Sequence, residues 1–258
     1  MRPLIAVTAT RTLRSSLRIS NNAANEVAAI TKPKKRAQSK TSSKKSSPSP
    51  QSAQVVPMKT ATDSNGITRC SWCTNDPIYQ FYHDNEWGNS PITDDRLLFE
   101  LLCLEGAQAG LSWITILKRR QNYKDAFDDF DPSIVAKYTA DKINQLIQND
   151  GIIRNKLKIQ SAVTNANAFL KVQKEFGTFS EYLWGFAPEG GPTAHLNEGN
   201  KCRAVSPESE AMSKDLKKRG FMFVGPTICY AYMQSIGMVN DHHVDCFLYP
   251  NKEKSQSD

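Results

Sequence analysis

Two groups of metal-capable side chains near opposite ends of the folding part of this chain constrain its topology more than any other feature. Cys70, Cys73 and His83 stand at one end, and His242, His243 and Cys246 at the other. His242 and Cys246 are four apart, so a helical turn would put both on one face. Two thiolates and two imidazoles suit one tetrahedral zinc, and four protein ligands leave no open position for a reactive water. Such a site is structural. It would clip segments about 160 residues apart, where loop closure costs the most entropy and metal binding adds directly to folding. Spacing alone does not choose between Cys70 and Cys73, or between His242 and His243. The six cysteines, at 70, 73, 103, 202, 229 and 246, are too sparse for a secreted disulfide framework and imply a reducing compartment. Cys103 and Cys229 fall inside helical apolar patterns and read as buried thiols.

Charge divides the chain into a tail and a body. Residues 1–60 hold 12 Lys and Arg against one acid, Glu26, which leaves 21 basic and 25 acidic residues of the chain's 33 and 26 for the remainder. The tail is therefore net +11 and the body net −4. A segment rich in Ser, Lys, Pro and Gln buries too little apolar surface to offset its ordering entropy, so disorder is expected over 1–65 and again over 251–258. Arg2, Arg11, Arg14 and Arg18 in an acid-free stretch have the composition of an organellar transit peptide, and Lys32-Pro-Lys34-Lys35-Arg36 reads equally as a nuclear address. Nonspecific affinity for polyanions explains the same residues. No apolar run approaches the roughly 18–20 residues that span a bilayer.

The body, 66–250, is expected to be all-α. Asp94 and Asp95 cap a helix whose apolar stripe runs Leu97, Leu98, Leu101, Leu102. The register 97, 101, 105 then brings Glu105 onto that stripe, just before Gly106, Ala107, Ala109 and Gly110, which are too small to fill a core. Two placements follow: an inward acid beside open space, with Trp113 as a wall, or a fraying last turn that faces solvent. Thr139 caps a helix through Ile143, Leu146 and Ile147, and a longer one carries Ile159, Val163, Ala166 and Leu170. The hinge between them, Gly151 to Lys156, combines backbone donors with Arg154 and Lys156, a geometry suited to a phosphate, though a plain connector looks the same. Helices are also expected around Phe179–Phe186, from Ser206-Pro207 to Lys217-Lys218-Arg219, and through Ile228–Ile236, with a loop at 187–205.

Several of these segments resemble one family. RCSWC at 69, DPIYQFYHDNEWG at 76, LCLEGAQAGLSWITILKRR at 102, DGIIRNKLKI at 150, LKKRGFMFVGPTICYAYMQSIGMVNDH at 216 and Cys246 occur in order over 69–250. They are similar to the DNA-3-methyladenine glycosylase I family of the helix-hairpin-helix superfamily. The resemblance implies one structural zinc on Cys70, His83, His242 and Cys246, joining the two ends of the domain. It implies a base pocket of Tyr79, Tyr82, Trp87, Glu105 and Trp113, with Glu105 as the catalytic carboxylate. It also implies alkylated double-stranded DNA as partner, gripped through backbone N–H groups around Gly151 and Ile153 and the side chains of Arg154 and Lys156. Leu111, at the pocket rim, would wedge into the gap left by the flipped nucleotide. Gln121 stands where many members have Glu, and the tail and the loop 187–205 depart from the pattern.

The implied reaction is removal of 3-methyladenine by hydrolysis of its N-glycosidic bond, by a monomer in nucleus or organelle. A base methylated at N3 is already cationic and leaves neutral without a strong proton donor, so the pocket must mainly select. Related glycosylases place an Asp after the hairpin; positions 160–175 contain none, as the resemblance also implies. Two other readings are a zinc-stapled lesion-binding module without turnover and a zinc hydrolase, the latter disfavoured by a filled ligand set.

Overall fold

The structure, a computed structural model, describes residues 56–189, 191 and 201–249. The expected tail as far as residue 55, the C-terminal segment 251–258, and residues 190 and 192–200 of the loop lie outside the described residues.

Backbone pairing begins earlier than composition indicates. Strand β1, Val56–Pro57, lies antiparallel to β4, Lys201–Cys202, while β2, Thr60–Thr62, pairs with β3, Thr68–Cys70, in the register Thr60↔Cys70 and Thr62↔Thr68. Asp63 Oδ1 accepts the N–H groups of Asn65 and Ile67 to close the hairpin. The ribbon adds two short strand pairs to a fold that is mostly helical, as expected, and its first residues fall within the stretch read as tail. Composition misses it because a ladder is made of backbone groups and needs few apolar side chains.

The rest is helical. Helix α1 (Pro77–Asn85) starts at Asp76, which accepts from Ile78 N, with Pro77 at the first position. Helix α2 (Asp95–Gln108) is capped by Asp94 through Leu97 N. Short helices α3 (Trp113–Leu117), α4 (Arg120–Ala126) and α5 (Pro132–Val135) follow, then α6 (Ala140–Gln148) behind its Thr139 cap. Helix α7 (Lys156–Phe176) begins after the hinge, where Asn155 Oδ1 accepts from Leu157 N and Lys158 N. Capping boxes at Thr178 and Ser206 open α8 (Phe179–Trp184) and α9 (Pro207–Lys218), and α10 is Pro226–Ser235. Among the described residues no helix is long and apolar enough to cross a membrane.

Helix α2 is the axis of the domain. Seven of its residues from Leu98 to Glu105, on every side, are buried, and it packs on α3, α7, α8 and α10. Phe99 meets Phe169 of α7 at 5.2 Å, and Phe169 stacks on Phe179 of α8 at 4.1 Å. Asp95 accepts from Phe179 N and Ser180 N, both at 2.8 Å, so the first turn of α2 caps α8. The far end of α2 is held differently. Lys158 Nζ, in the first turn of α7, donates to the carbonyls of Ala107 at 2.8 Å and Ala109 at 2.7 Å. A cation thus neutralises the negative end of the helix and fixes the Gly110 turn that follows, where φ is +78°. The basic run ending α9 has an internal partner too: Arg219 pairs with Asp215 and Glu175 and lies over Tyr182.

Replacing Lys158 with Met keeps most of the stem but leaves two carbonyls without their charged donor. Urea unfolding should show a loss of about 1–3 kcal/mol; an unchanged midpoint would mean that solvent serves those carbonyls equally well.

Candidate active site

A cavity of about 380 Å³ opens between α1, α2, α3 and α10. Tyr79, Tyr82, Trp87, Glu105 and Trp113 all line it. Tyr79 and Tyr82 share a face of α1 at i, i+3, Trp87 lies just past that helix, Glu105 is on α2, and Trp113 opens α3. Arg120 sets the Trp87 wall from behind, with Nη1 2.6 Å from Glu86 and Nε 2.6 Å from the buried Glu100.

Trp72 and Gln108 are among the further lining residues that sequence reasoning passed over. Trp72 is central to the cage, with ring centroids 5.1 Å from Tyr79, 4.9 Å from Trp87 and 6.5 Å from Tyr82. Its place between Cys70 and Cys73 was the available signal, because the turn that presents the thiols also aims the indole. Gln108 stands at i+3 from Glu105, on the same helix face.

The inward placement of Glu105 is the one adopted. The helix continues through Gly106 to Gln108, and the Phe223 segment passes close at Gly106, where a Cβ would lie 3.3 Å from Phe223 Cβ. The Glu105 carboxyl is 3 % exposed, and burial pushes its pKa up to about 8 against an opposing hydrogen bond from the Ser235 hydroxyl. Among the described residues its Oε2 has no hydrogen-bond partner, nor has the indole Nε1 of Trp113. An orphaned acceptor and an orphaned donor on one cavity are costly unless something else satisfies them. Burial also raises the phenol pKa of Tyr79, to about 12, and that of Tyr82, so both remain neutral hydroxyl donors at physiological pH. The chemical character is a cage of electron-rich ring faces with one titratable anion, which suits a planar cation.

Behind the cage, Cys70, His83, His242 and Cys246 converge, with their ligand atoms all within 4.8 Å of one another. Cys246 Sγ is 3.5 Å from His83 Nε2 and 3.6 Å from His242 Nδ1, and Cys70 Sγ is 3.7 Å from His242 Nδ1. This set can hold a metal ion. The ring nitrogens facing away are fixed as well, His83 Nδ1 by Asp84 at 2.7 Å and His242 Nε2 by the Trp87 carbonyl at 3.0 Å, the outer support metal-binding imidazoles use. Cys73 turns away to donate to the Cys70 carbonyl, and His243 Nδ1 accepts from Asp245 N. The alternatives left open by spacing are thereby separated. His242 and Cys246 meet through a turn, with Cys246 N bonded to the His243 carbonyl.

The residues expected to face DNA are divided. Arg154 and Lys156 are exposed, and Leu111 is 40 % exposed on the turn between Gln108 and Trp113. The two amides are engaged inside the protein: Gly151 N donates to Asn149 Oδ1 at 2.9 Å and Ile153 N to the Tyr123 hydroxyl at 3.1 Å. Both amides thus have a partner within the chain. A single N–H cannot serve two acceptors well, and sequence does not reveal that Tyr123 reaches across from α4.

Comparison with known proteins agrees with this geometry. The family described as methyladenine glycosylase matches residues 72–249. DNA-3-methyladenine glycosylase 1 of Escherichia coli (strain K12) is 46 % identical over 187 residues, 72 % of this chain and 100 % of that protein. DNA-3-methyladenine glycosylase of Haemophilus influenzae is 48 % identical over 182 residues, 69 % of this chain and 96 % of that one. Among solved structures, 3-methyladenine DNA glycosylase I from Staphylococcus aureus, described for its recognition of 3-methyladenine, superposes with a TM-score of 0.65 at 36 % identity, covering 70 % of this chain and 97 % of that one. With the fold, the cage and this extent of match in agreement, the chain belongs to the methyladenine glycosylase family.

Proposed function

We propose that this protein excises 3-methyladenine from alkylated double-stranded DNA, acting as a monofunctional, monomeric glycosylase of base excision repair. The observation that carries the reading is the pair of buried, unpartnered atoms on the cavity, Glu105 Oε2 and Trp113 Nε1. A flipped purine offers an exocyclic amine to the first and a ring acceptor to the second, and its flat face fits among Trp72, Tyr82 and Trp113.

Selection follows from charge. An N3-methylated adenine carries a positive charge that lowers the pKa of an adjacent carboxyl. Glu105, held near 8 by burial, gives up its proton to form a charge-assisted contact with the cation. Ordinary adenine, being neutral, gains no such contact. The C1′–N9 bond then breaks heterolytically: the electron pair goes to the base, which departs neutral, and water adds to C1′ with loss of a proton. Glu105 favours the cationic base on binding and stabilises the positive charge more strongly as it passes to the sugar in the transition state, and Tyr82 contacts the base edge.

The metal fits as one structural zinc. Two thiols and two imidazoles with supported rings are the kind of donor set that zinc takes, and four protein ligands would leave no position for a reactive water. Arg154 and Lys156 hold phosphates, and Leu111 occupies the space vacated by the flipped nucleotide. The basic segment, net +11 over residues 1–60, supplements the grip and addresses the protein to nucleus or organelle.

Glu105→Gln should reduce release of 3-methyladenine from methylated DNA roughly a hundredfold or more while DNA binding and zinc content stay as they are; wild-type rates would remove Glu105 from the mechanism. The same substitution should stabilise the fold at alkaline pH. Folded Glu105 keeps its proton up to about 8 while the unfolded carboxyl ionises near 4.5, so the wild type loses stability as pH rises through that window, and glutamine does not. Melting curves should therefore show the variant ahead at pH 8 and the gap closing towards pH 5. Elemental analysis should find one zinc per chain, depleted together with thermal stability in Cys246→Ser; a chain purified without stoichiometric zinc would reject that assignment. Finally, deleting residues 1–50 should flatten the salt dependence of DNA affinity, and an identical slope would dismiss the tail from DNA binding.

A further inference from the structure

Met58 and Lys59 line the cavity although they precede the family-matched residues 72–249 and fall where composition reads as solvated tail. Both are held on two sides. Immediately before them, Val56–Pro57 pairs with Lys201–Cys202. Immediately after, Thr60 is in register with Cys70, and the Lys59 carbonyl accepts Ser71 N at 2.8 Å. The strand carrying Cys70 and leading into Trp72 therefore also fixes the backbone of residues 58–59 beside the cage.

The turn of this hairpin is tied down independently. Arg69 bridges Asp63 at 2.7 Å and Asp84 at 2.8 Å, and Asp84 in turn contacts His83 Nδ1. The same ionic chain thus steadies the hairpin and the metal-capable cluster. Met58 is half-buried. Its unbranched, polarisable thioether is a side chain that packs well against aromatic faces and adapts to what lies beside it.

We propose that Met58 is a specificity-determining residue of the base site, a wall supplied from outside the family-matched region that limits the size of the alkyl group admitted. The inference rests on the cavity being the base site. Because the segment is fixed by backbone pairing, the volume at position 58 is set by the side chain itself, and changing that side chain changes the room available in the cavity without moving the cage.

The test uses the full chain with Met58→Ala, Met58→Leu and Met58→Phe. Quenching of tryptophan fluorescence by free 3-methyladenine gives base affinity, and excision of 3-methyladenine against 3-ethyladenine from duplex DNA gives size selectivity. Met58→Ala should weaken base binding roughly three- to tenfold and raise the ethyl-to-methyl excision ratio, because apolar contact is lost and space is gained. Met58→Phe should lower that ratio, and Met58→Leu should stay near wild type. Opposite shifts for the smaller and larger side chains are what a wall produces; a residue that only supports folding would shift both variants the same way. Affinity and ratio unchanged in both Ala and Phe variants, with the wild type binding and excising, would overturn the role of Met58 alone. A wild type that neither binds 3-methyladenine nor releases it would overturn the base-site reading and the wall with it.

Discussion

The cavity exists because two ends of the domain are held against each other, and the convergence of Cys70 and His83 with His242 and Cys246 is where that happens. The contact does more than close a loop. His242 hands its second nitrogen to the carbonyl of Trp87 and packs its ring edge-on to the Trp87 indole at 4.8 Å, while Trp72 lies 5.2 Å from the His83 ring. Two walls of the aromatic cage are thus backed by imidazoles of the cluster. The connecting segment is equally constrained: Gly88 N bonds to the Gln234 carbonyl, Ile92 N to that of Ile236, and at Gly237 a Cβ would come within 2.2 Å of the Ser90 carbonyl oxygen. With φ at +68° and no room for a side chain, that position accepts only glycine. Rigidity is useful here because a cage that relaxed around any planar base would lose its preference for one.

Against this frame the central helix carries a deliberate electrostatic cost. Two acids of α2, Glu100 and Glu105, are both 3 % exposed, yet their surroundings differ. Glu100 is matched by Arg120, with Lys124 3.7 Å away, and belongs to the scaffold behind Trp87. Glu105 has no cation matched to it, the Ser235 hydroxyl beside it and, among the described residues, one oxygen without a partner. Five residues along one helix therefore separate a carboxylate that stabilises the fold from one that destabilises it. A buried group kept short of partners marks a site where binding, not folding, completes the interaction.

The helix ends transmit position from one part of the site to another. Asp95 caps α8, and Lys158 caps α2, so the acid of the pocket, the Leu111 turn and the first residues of α7 are linked by charged contacts at the helix termini. Arg154 and Lys156 lie just before that junction. The polar interior of this domain is thus concentrated at caps and junctions, where it fixes geometry at points that apolar packing alone would leave free to slide.

Much of this was legible in the sequence. Asp94, Thr139 and Ser206 mark helix starts that are found where they indicate, and the 97, 101, 105 register already placed Glu105 on an apolar face. Those signals are local, depending on a few adjacent residues and on helical periodicity, so no distant contact is needed to read them. The ribbon at 56–70, the engagement of the Ile153 amide by Tyr123, the role of Trp72 and the presence of Met58 at the cavity were decided only in three dimensions. Each depends on which backbone or side chain arrives from elsewhere. The sequence by itself determined the helices that open at Asp94, Thr139 and Ser206, the candidate ligands and an acid in register with an apolar stripe; the tertiary structure alone decided which of those groups find partners and which stay unsatisfied, because satisfaction of a buried polar atom is a property of its neighbours in space.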